Sequence, residues 1–298
     1  VIIEEMHMTK DSPSSQVHEL IDEILWPNHP LGWDIAGTAA SVTGITRNIM
    51  LTHLQNRYLP ANTVVAIAGN IQHEEAVEAV RQAVSGWSSR QPCPVFLPYT
   101  EQPNPRLKIE RRETEQAHFC LSLPAYSLFH PKRYALGLLN VILGEGMSSR
   151  LFAEIRDKLG LAYSIHSYID HLQDTGALTV YAGVEPKNLP VAIKAVTEQL
   201  AQLKELIPES ELTKAKELSK GRMLLRMEDT RSVTGWMGGQ EILTGKIITV
   251  DETVAILDAI TTAQLKEGAD ELLVADGLRL AVVGPIDEDA PLDKLLKL

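Results

Sequence analysis

The sequence predicts an α+β protein of two related domains, each an antiparallel sheet packed against helices, the first of them truncated. Three observations lead there. A helix-then-strand unit occurs twice at fixed spacing, which marks a duplication. The second half of the chain places its strands ahead of its longest helices, the order of a sheet covered by helices rather than of alternating βαβ units. A proline-rich stretch separates the halves.

The chain opens on Val1-Ile2-Ile3-Glu4-Glu5, with no initiator Met, basic segment or apolar leader, and reads as the interior of a helix. A fragment of a longer protein is therefore expected. Ile45-Thr46 opens an apolar-periodic helix to about Tyr58, and a strand Val64–Ala68 follows, ending at Gly69-Asn70-Ile71. Ile260-Thr261 opens a second such helix, and a strand Leu278–Val283 ends at Gly284-Pro285-Ile286. Gly69 follows Ile45 by 24 residues and Gly284 follows Ile260 by the same 24, an offset of 215 between copies. On that offset Val1 corresponds to Lys216, whereas the second domain starts near Pro105, so about 110 further residues are expected upstream.

Prolines at 92, 94, 98, 103 and 105 make Gln91–Pro105 unfit for helix or central strand. The expected division is residues 1–97 for the latter half of the first domain, 98–105 for the linker and 106–298 for the second domain. In the second domain Arg106–Glu110 and Gln116–Leu123 read as strands, Pro131–Leu143 and Ser149–Leu159 as helices. Strands Leu161–Ile169 and Gly176–Val184 form a hairpin across the polar segment Asp170–Thr175, and helices Leu189–Leu206 and Glu209–Glu228 break at Pro208.

At 298 residues, with 44% hydrophobic and 22% charged side chains, the chain suits a soluble two-domain protein. A net charge of -11 argues against a protein that tracks nucleic-acid phosphates. Apolar runs such as Leu136–Leu143 fall short of a membrane span. Cys93 and Cys120 are too few for a disulfide framework; Cys120 reads as a buried small hydrophobe, and a reducing compartment, the cytoplasm, is the default.

The histidines hold no HExxH or HxxEH spacing. His18-Glu19 and His73-Glu74 lack a second His at the needed offset, and His166 and His171 are five apart, so each reads as a solvated or core histidine. Gly144-Glu145-Gly146-Met147 lacks the Gly-Lys-Ser/Thr ending of a phosphate loop, and Gly235–Gly239 reads as a point of close helix packing.

Several blocks together carry a resemblance. They are Val1-Ile2-Ile3-Glu4-Glu5-Met6, Asp11-Ser12-Pro13, His29-Pro30-Leu31-Gly32, Gly37-Thr38, Tyr58-Leu59-Pro60-Ala61-Asn62 and Ala68-Gly69-Asn70. The most specific run from Leu143-Gly144-Glu145-Gly146-Met147-Ser148-Ser149-Arg150-Leu151-Phe152 through Glu154-Ile155-Arg156-Asp157-Lys158-Leu159-Gly160-Leu161-Ala162-Tyr163-Ser164. The chain resembles the pitrilysin/insulinase family of zinc peptidases, especially the mitochondrial processing peptidase branch. The resemblance implies two similar α+β domains and hydrolysis of a peptide, or unfolded polypeptide, in an enclosed chamber. It implies a zinc held by two His and a Glu, with a fourth position open to water. It makes Glu5 the carboxylate ligand, with Glu4, about 100° around the helix, as the neighbouring alternative. It makes Arg156 and Tyr163 the substrate-contacting, oxyanion-stabilising pair.

Chemistry agrees with the last assignment. Arg156 falls near a helix end, Gly160 can take a left-handed cap, and Tyr163 starts the next strand, so the turn can bring both heads together. Zinc is expected in the full-length protein and none in this chain, which lacks the HxxEH segment. A homodimer, or a heterodimer with a related subunit, is the implied assembly. The rival readings are a non-catalytic structural or assembly subunit and a peptide-binding module.

Overall fold

The structure, a computed structural model, describes residues 1–87 and 96–298; Pro92, Cys93 and Pro94 of the proline-rich stretch lie outside the described residues. Helix α1 spans Ile2–Asp11 and α2 spans Pro13–Leu25. Ser12 joins them: its backbone N–H closes α1 on Thr9, and its hydroxyl accepts from the Ser15 N–H at 3.4 Å, capping α2 ahead of a proline at the first helical position. Helices α3 (Ala39–Gly44), α4 (Arg47–Arg57) and α5 (His73–Ala83) follow. Then come β1 (Leu107–Arg111), β2 (Ala117–Pro124), α6 (Arg133–Gly144), β3 (Ala162–His171) and β4 (Gly176–Val184). The chain ends with α7 (Leu189–Gln202), α8 (Glu209–Arg226), α9 (Thr230–Thr244), α10 (Val250–Ala259), α11 (Thr262–Leu272) and β5 (Arg279–Gly284).

The chain forms two compact units. The first comprises Val1–Thr38, Pro98–Ser219 and Ile256–Leu298, the second Ala39–Leu97 and Lys220–Ala255. The first unit holds a five-stranded sheet in the order β1-β5-β2-β4-β3. The expected antiparallel pairing holds for β2–β5, β2–β4 and β3–β4, whereas β1 runs parallel to β5. Strand β2 shows why two covers are needed. Its Ala117, Phe119, Leu121 and Leu123 join the main core with α6, α7 and α11, while Cys120 belongs to a second cluster on the opposite face.

Helix α2 provides that second cover. Val17, Leu20, Ile21, Ile24 and Leu25 are buried with Cys120, Ala177, Tyr181, Ala281 and Val283 of the sheet. Full burial of such an aliphatic side chain contributes about 1.5–3 kcal/mol, so this face holds the helix firmly. The second unit has the reciprocal arrangement. There α9 lies against residues 64–67, and a Cβ on Gly238 would lie 3.0 Å from the Ala66 methyl. Ala66 is the counterpart of Ala281 at the repeat offset. One boundary between the compact units, Leu97/Pro98, falls at the start of the expected 98–105 linker, and the others lie at Thr38/Ala39, Ser219/Lys220 and Ala255/Ile256. Each half of the sequence supplies a helix to the other half's unit, because each extended segment needs an apolar cover.

The duplication extends to individual hydrogen bonds. Thr46 and Thr261 cap α4 and α11 by accepting the third N–H onward, and Thr261 completes a capping box with Gln264. The C-terminal bonds Tyr58 N–H to Leu54 O and Leu273 N–H to Ala269 O measure 3.0 and 2.9 Å. Short 3₁₀ turns follow at Pro60–Asn62 and Ala275–Gly277, and both segments end in an Ile N–H to Gly O bond, 3.0 Å at Ile71 and 2.8 Å at Ile286. One expectation is corrected. Residues 64–68 form no strand among the described residues, since a strand exists by its pairing; β5 has β1 and β2 beside it, and this segment has neither.

The packing at Gly238 makes a prediction. Gly238→Val forces a branched side chain against Ala66, and overpacking of this kind costs about 1–3 kcal/mol. Hydrogen exchange will show α9 losing protection while β2 and β4 keep theirs.

Candidate functional site

The segment carrying Arg156 and Tyr163 departs from regular helix and strand in three adjacent places. After Ser149, whose hydroxyl donates to the Gly146 carbonyl at 2.8 Å, the helix widens into a π turn over Phe152–Lys158. Leu159 N–H reaches the Glu154 carbonyl five residues back at 2.9 Å. Such wide turns insert an extra residue and gather at functional sites. Gly160 then takes the left-handed conformation, φ 61°, and Leu161 N–H bonds the Ile155 carbonyl at 2.9 Å. Finally β3 carries a bulge: Ala162 pairs with Val184 and Ser164 with Gly183, leaving Tyr163 unpaired. A bulge bends the strand and re-aims its extra side chain. Tyr163 is 80% exposed although its neighbour Ala162 is buried.

These irregularities bring the expected pair together. The Arg156 guanidinium lies 4.8 Å from the Tyr163 ring centroid and 4.6 Å from that of Phe152, held between two aromatic faces. Among the described residues Arg156 makes no ion pair, while Glu154 and Lys158 satisfy each other at 2.9 Å across one turn. The guanidinium keeps its planar donors for another partner, and the phenol keeps its hydroxyl. Phe152 was not singled out by the sequence reading, although its i, i+4 relation to Arg156 is the available signal. Gly144 is a packing glycine: a Cβ there would lie 2.2 Å from the Ser167 hydroxyl of β3.

Glu5 stands on α1 with an exposed carboxylate, and its backbone carbonyl accepts from the Thr9 hydroxyl at 3.2 Å. Glu4 is exposed on the same helix. Among the described residues no hydrogen bond or ion pair joins Glu5 to the Arg156–Tyr163 pair.

Residues 44–219 match the family described as the peptidase M16 inactive domain, over more than half of the chain. The chain belongs to the M16 peptidase family. It is 33% identical over 288 residues to a Bacillus subtilis protein named uncharacterized zinc protease YmxG, covering 96% of this chain and 69% of the relative. It is 34% identical over 303 residues to the uncharacterized zinc protease ML0855 of Mycobacterium leprae, covering 100% of this chain and 68% of that protein. A Streptomyces coelicolor relative is matched over 64% of its length, so the chain spans about two thirds of these proteins. Among solved structures, a Helicobacter pylori protease aligns with a TM-score of 0.86 at 20% identity, covering 95% of this chain and 70% of that one. An M16 inactive domain from Pseudomonas fluorescens aligns at 0.87 and 22%, covering 96% and 68%. At these identities the structures establish the fold, which is that of M16 peptidases.

The donors present do not complete the zinc site that the relatives' names imply. A protein zinc site needs three or four N, S or O ligands converging on one point. Among the described residues no group of three or more His, Cys, Asp or Glu is disposed to hold a metal ion. Glu5 is a single exposed carboxylate.

Two predictions follow from this geometry. After dialysis against buffered micromolar zinc, elemental analysis of this chain will find well under one equivalent, unchanged by Glu5→Gln. Tyr163→Ala will leave the unfolding free energy from denaturant titration within about 0.5 kcal/mol of the parent, since the ring is exposed and fills no core.

Proposed function

We propose that this chain is the substrate-contacting portion of an M16 zinc endopeptidase that acts on peptides or unfolded polypeptide. The observation that carries the reading is Arg156 clamped between Phe152 and Tyr163, with the phenol exposed on a bulge. A planar guanidinium suits peptide carbonyls, offering two parallel donors at once. A phenol beside it suits a carbonyl oxygen that gains negative charge as the bond is attacked, and donors aimed at developing charge accelerate acyl transfer. Aromatic stacking fixes the guanidinium beforehand, so little rotamer entropy is lost when substrate arrives. Glu5 is the carboxylate this chain brings to the metal centre; HxxEH is absent from its sequence. A second copy, or a related subunit, closes the chamber.

A second reading has its own support. The matched family is described as an inactive domain, and a chain of the Candida albicans complex III₂ shares the fold at a TM-score of 0.84 and 18% identity. On this reading the chain belongs to a non-catalytic subunit that binds or organises polypeptide.

The full-length gene product decides between them. If the first reading holds, Tyr163→Phe lowers kcat for an internally quenched peptide by a factor of about 100 to 1000, with zinc content and stability unchanged. Arg156→Lys keeps the charge but loses the fork, so KM rises. A Tyr163→Phe protein within twofold of the parent removes the tyrosine from the mechanism. A zinc-free parent that binds peptide without cleaving it establishes the second reading.

A further inference from the structure

Beside the π turn, at the end of α7 and the start of α8, lies a cavity of about 580 Å³, a volume typical of small-molecule sites. Its frame is fixed. Leu151 and Ile155 at the turn, and Leu203 and Ile207 between α7 and α8, are 1% exposed or less and belong to the main core.

Charge on the cavity wall is unbalanced. Four carboxylates, Glu154, Glu198, Glu205 and Glu211, share it with two cations, Arg150 and Lys158. Both cations are taken: Arg150 Nε donates to Glu211 at 2.9 Å, and Lys158 Nζ donates to Glu154 at 2.9 Å. Glu198 has Lys194 one turn back at a loose 3.8 Å, and Glu205 has no ion pair among the described residues.

Gln199 is the observation that points to a ligand. It is 7% exposed, and among the described residues its amide makes no hydrogen bond. A buried amide without a partner is costly, and native folds keep few of them. The Asn140 Oδ1 is sealed in the interior; the Gln199 head instead opens on the cavity, where a ligand can reach it.

We propose that this cavity binds an aliphatic amine. Glu198 and Glu205 supply the countercharge for the ammonium head, the Gln199 amide oxygen accepts one of its protons, and Ala153, Leu206 and Pro208 offer apolar surface to the methylene stem. The chemistry selects this class. Excess carboxylate repels anionic ligands. A metal ion needs several donors converging on one point, and among the described residues no such group exists. A neutral apolar molecule would leave the amide unpaired. An ammonium brings three donors for these oxygens and an apolar stem behind them. A free diamine and a lysine side chain share that head and stem.

The site is separate from the proposed peptide chemistry. Arg156 is two residues from both Glu154 and Lys158, so it leaves the turn on another face. The amine site therefore stands or falls without the peptidase reading.

NMR of the isotope-labelled chain, titrated with cadaverine or with N-acetyl-lysine methylamide, tests it. The side-chain amides of Gln199 and Gln202 will shift saturably, with a Kd of about 1 mM or below at low salt. Pentanol, a stem of the same length without charge, will leave them unmoved. Gln199→Leu will weaken binding about tenfold, read at Gln202. Glu205→Gln, a substitution at an exposed position that spares the fold, will weaken it several-fold. Saturation by cadaverine alone assigns a free diamine, and by the lysine derivative alone a polypeptide side chain; either supports the site. Shifts that grow linearly with ligand, shifts scattered over carboxylates outside the cavity, or an affinity unchanged in both variants overturn it.

Discussion

A sheet buried on both faces must find two covers, and the rest of this structure follows from how it finds the second. Strands β2, β4 and β5 alternate residues toward a large helical core and toward α2. The core side is almost wholly apolar. The α2 side mixes Ala177, Ala281 and Val283 with Cys120, Tyr181 and a buried Ser122–Thr179 hydrogen bond of 2.7 Å. A helix from the far end of the sequence has to match both characters. Helix α2 does so with aliphatics on one stripe and His18 and Asp22 beside them, which is why titratable groups came to lie under it. Buried polar groups are costly unless paired, and the Tyr168 hydroxyl meets that demand for His18.

Much of this was legible because it is local. Thr46 and Thr261 announce helix starts, Pro208 announces a break, and Gly160 announces a left-handed stop, each through a backbone constraint that one residue imposes. The duplication was legible because spacing survives when residues change. The helix exchange was not. Which helix covers which sheet face is a long-range choice: the proline-rich stretch marks the unit boundary at Leu97/Pro98, whereas nothing local marks those at Thr38/Ala39, Ser219/Lys220 and Ala255/Ile256. The histidines were hidden for a related reason. His18 was weighed against Glu19 along one helix and His166 against His171 along one chain, whereas their neighbours are Tyr168 and Tyr181, reached across strands.

The candidate site was half legible. A motif names Arg156 and Tyr163, but helix periodicity places them on an ordinary helix end and strand start. The π turn, the left-handed Gly160 and the bulge act in succession on twelve residues, and together they rotate both side chains to one place. Each irregularity forgoes regular hydrogen bonds, and structures keep such features mainly where a side chain must be aimed. An aromatic that is four-fifths exposed and stacked on a cation contributes little to folding.

The two copies of the duplicated unit show where local instruction ends. Their backbones make the same hydrogen bonds at the same offset. Their burial differs at equivalent positions: Leu265 and Leu273 are 0% and 2% exposed, while Met50 and Tyr58 are 63% and 61% exposed. The caps and turns therefore set conformation without reference to surroundings, and the paired strands beside β5 set burial. Residues 64–67 with α5 and α9 line an open apolar cavity of about 410 Å³, whereas β5, with the same approach and the same exit, lies within the sheet. An apolar segment with unpaired backbone is a template for further strands.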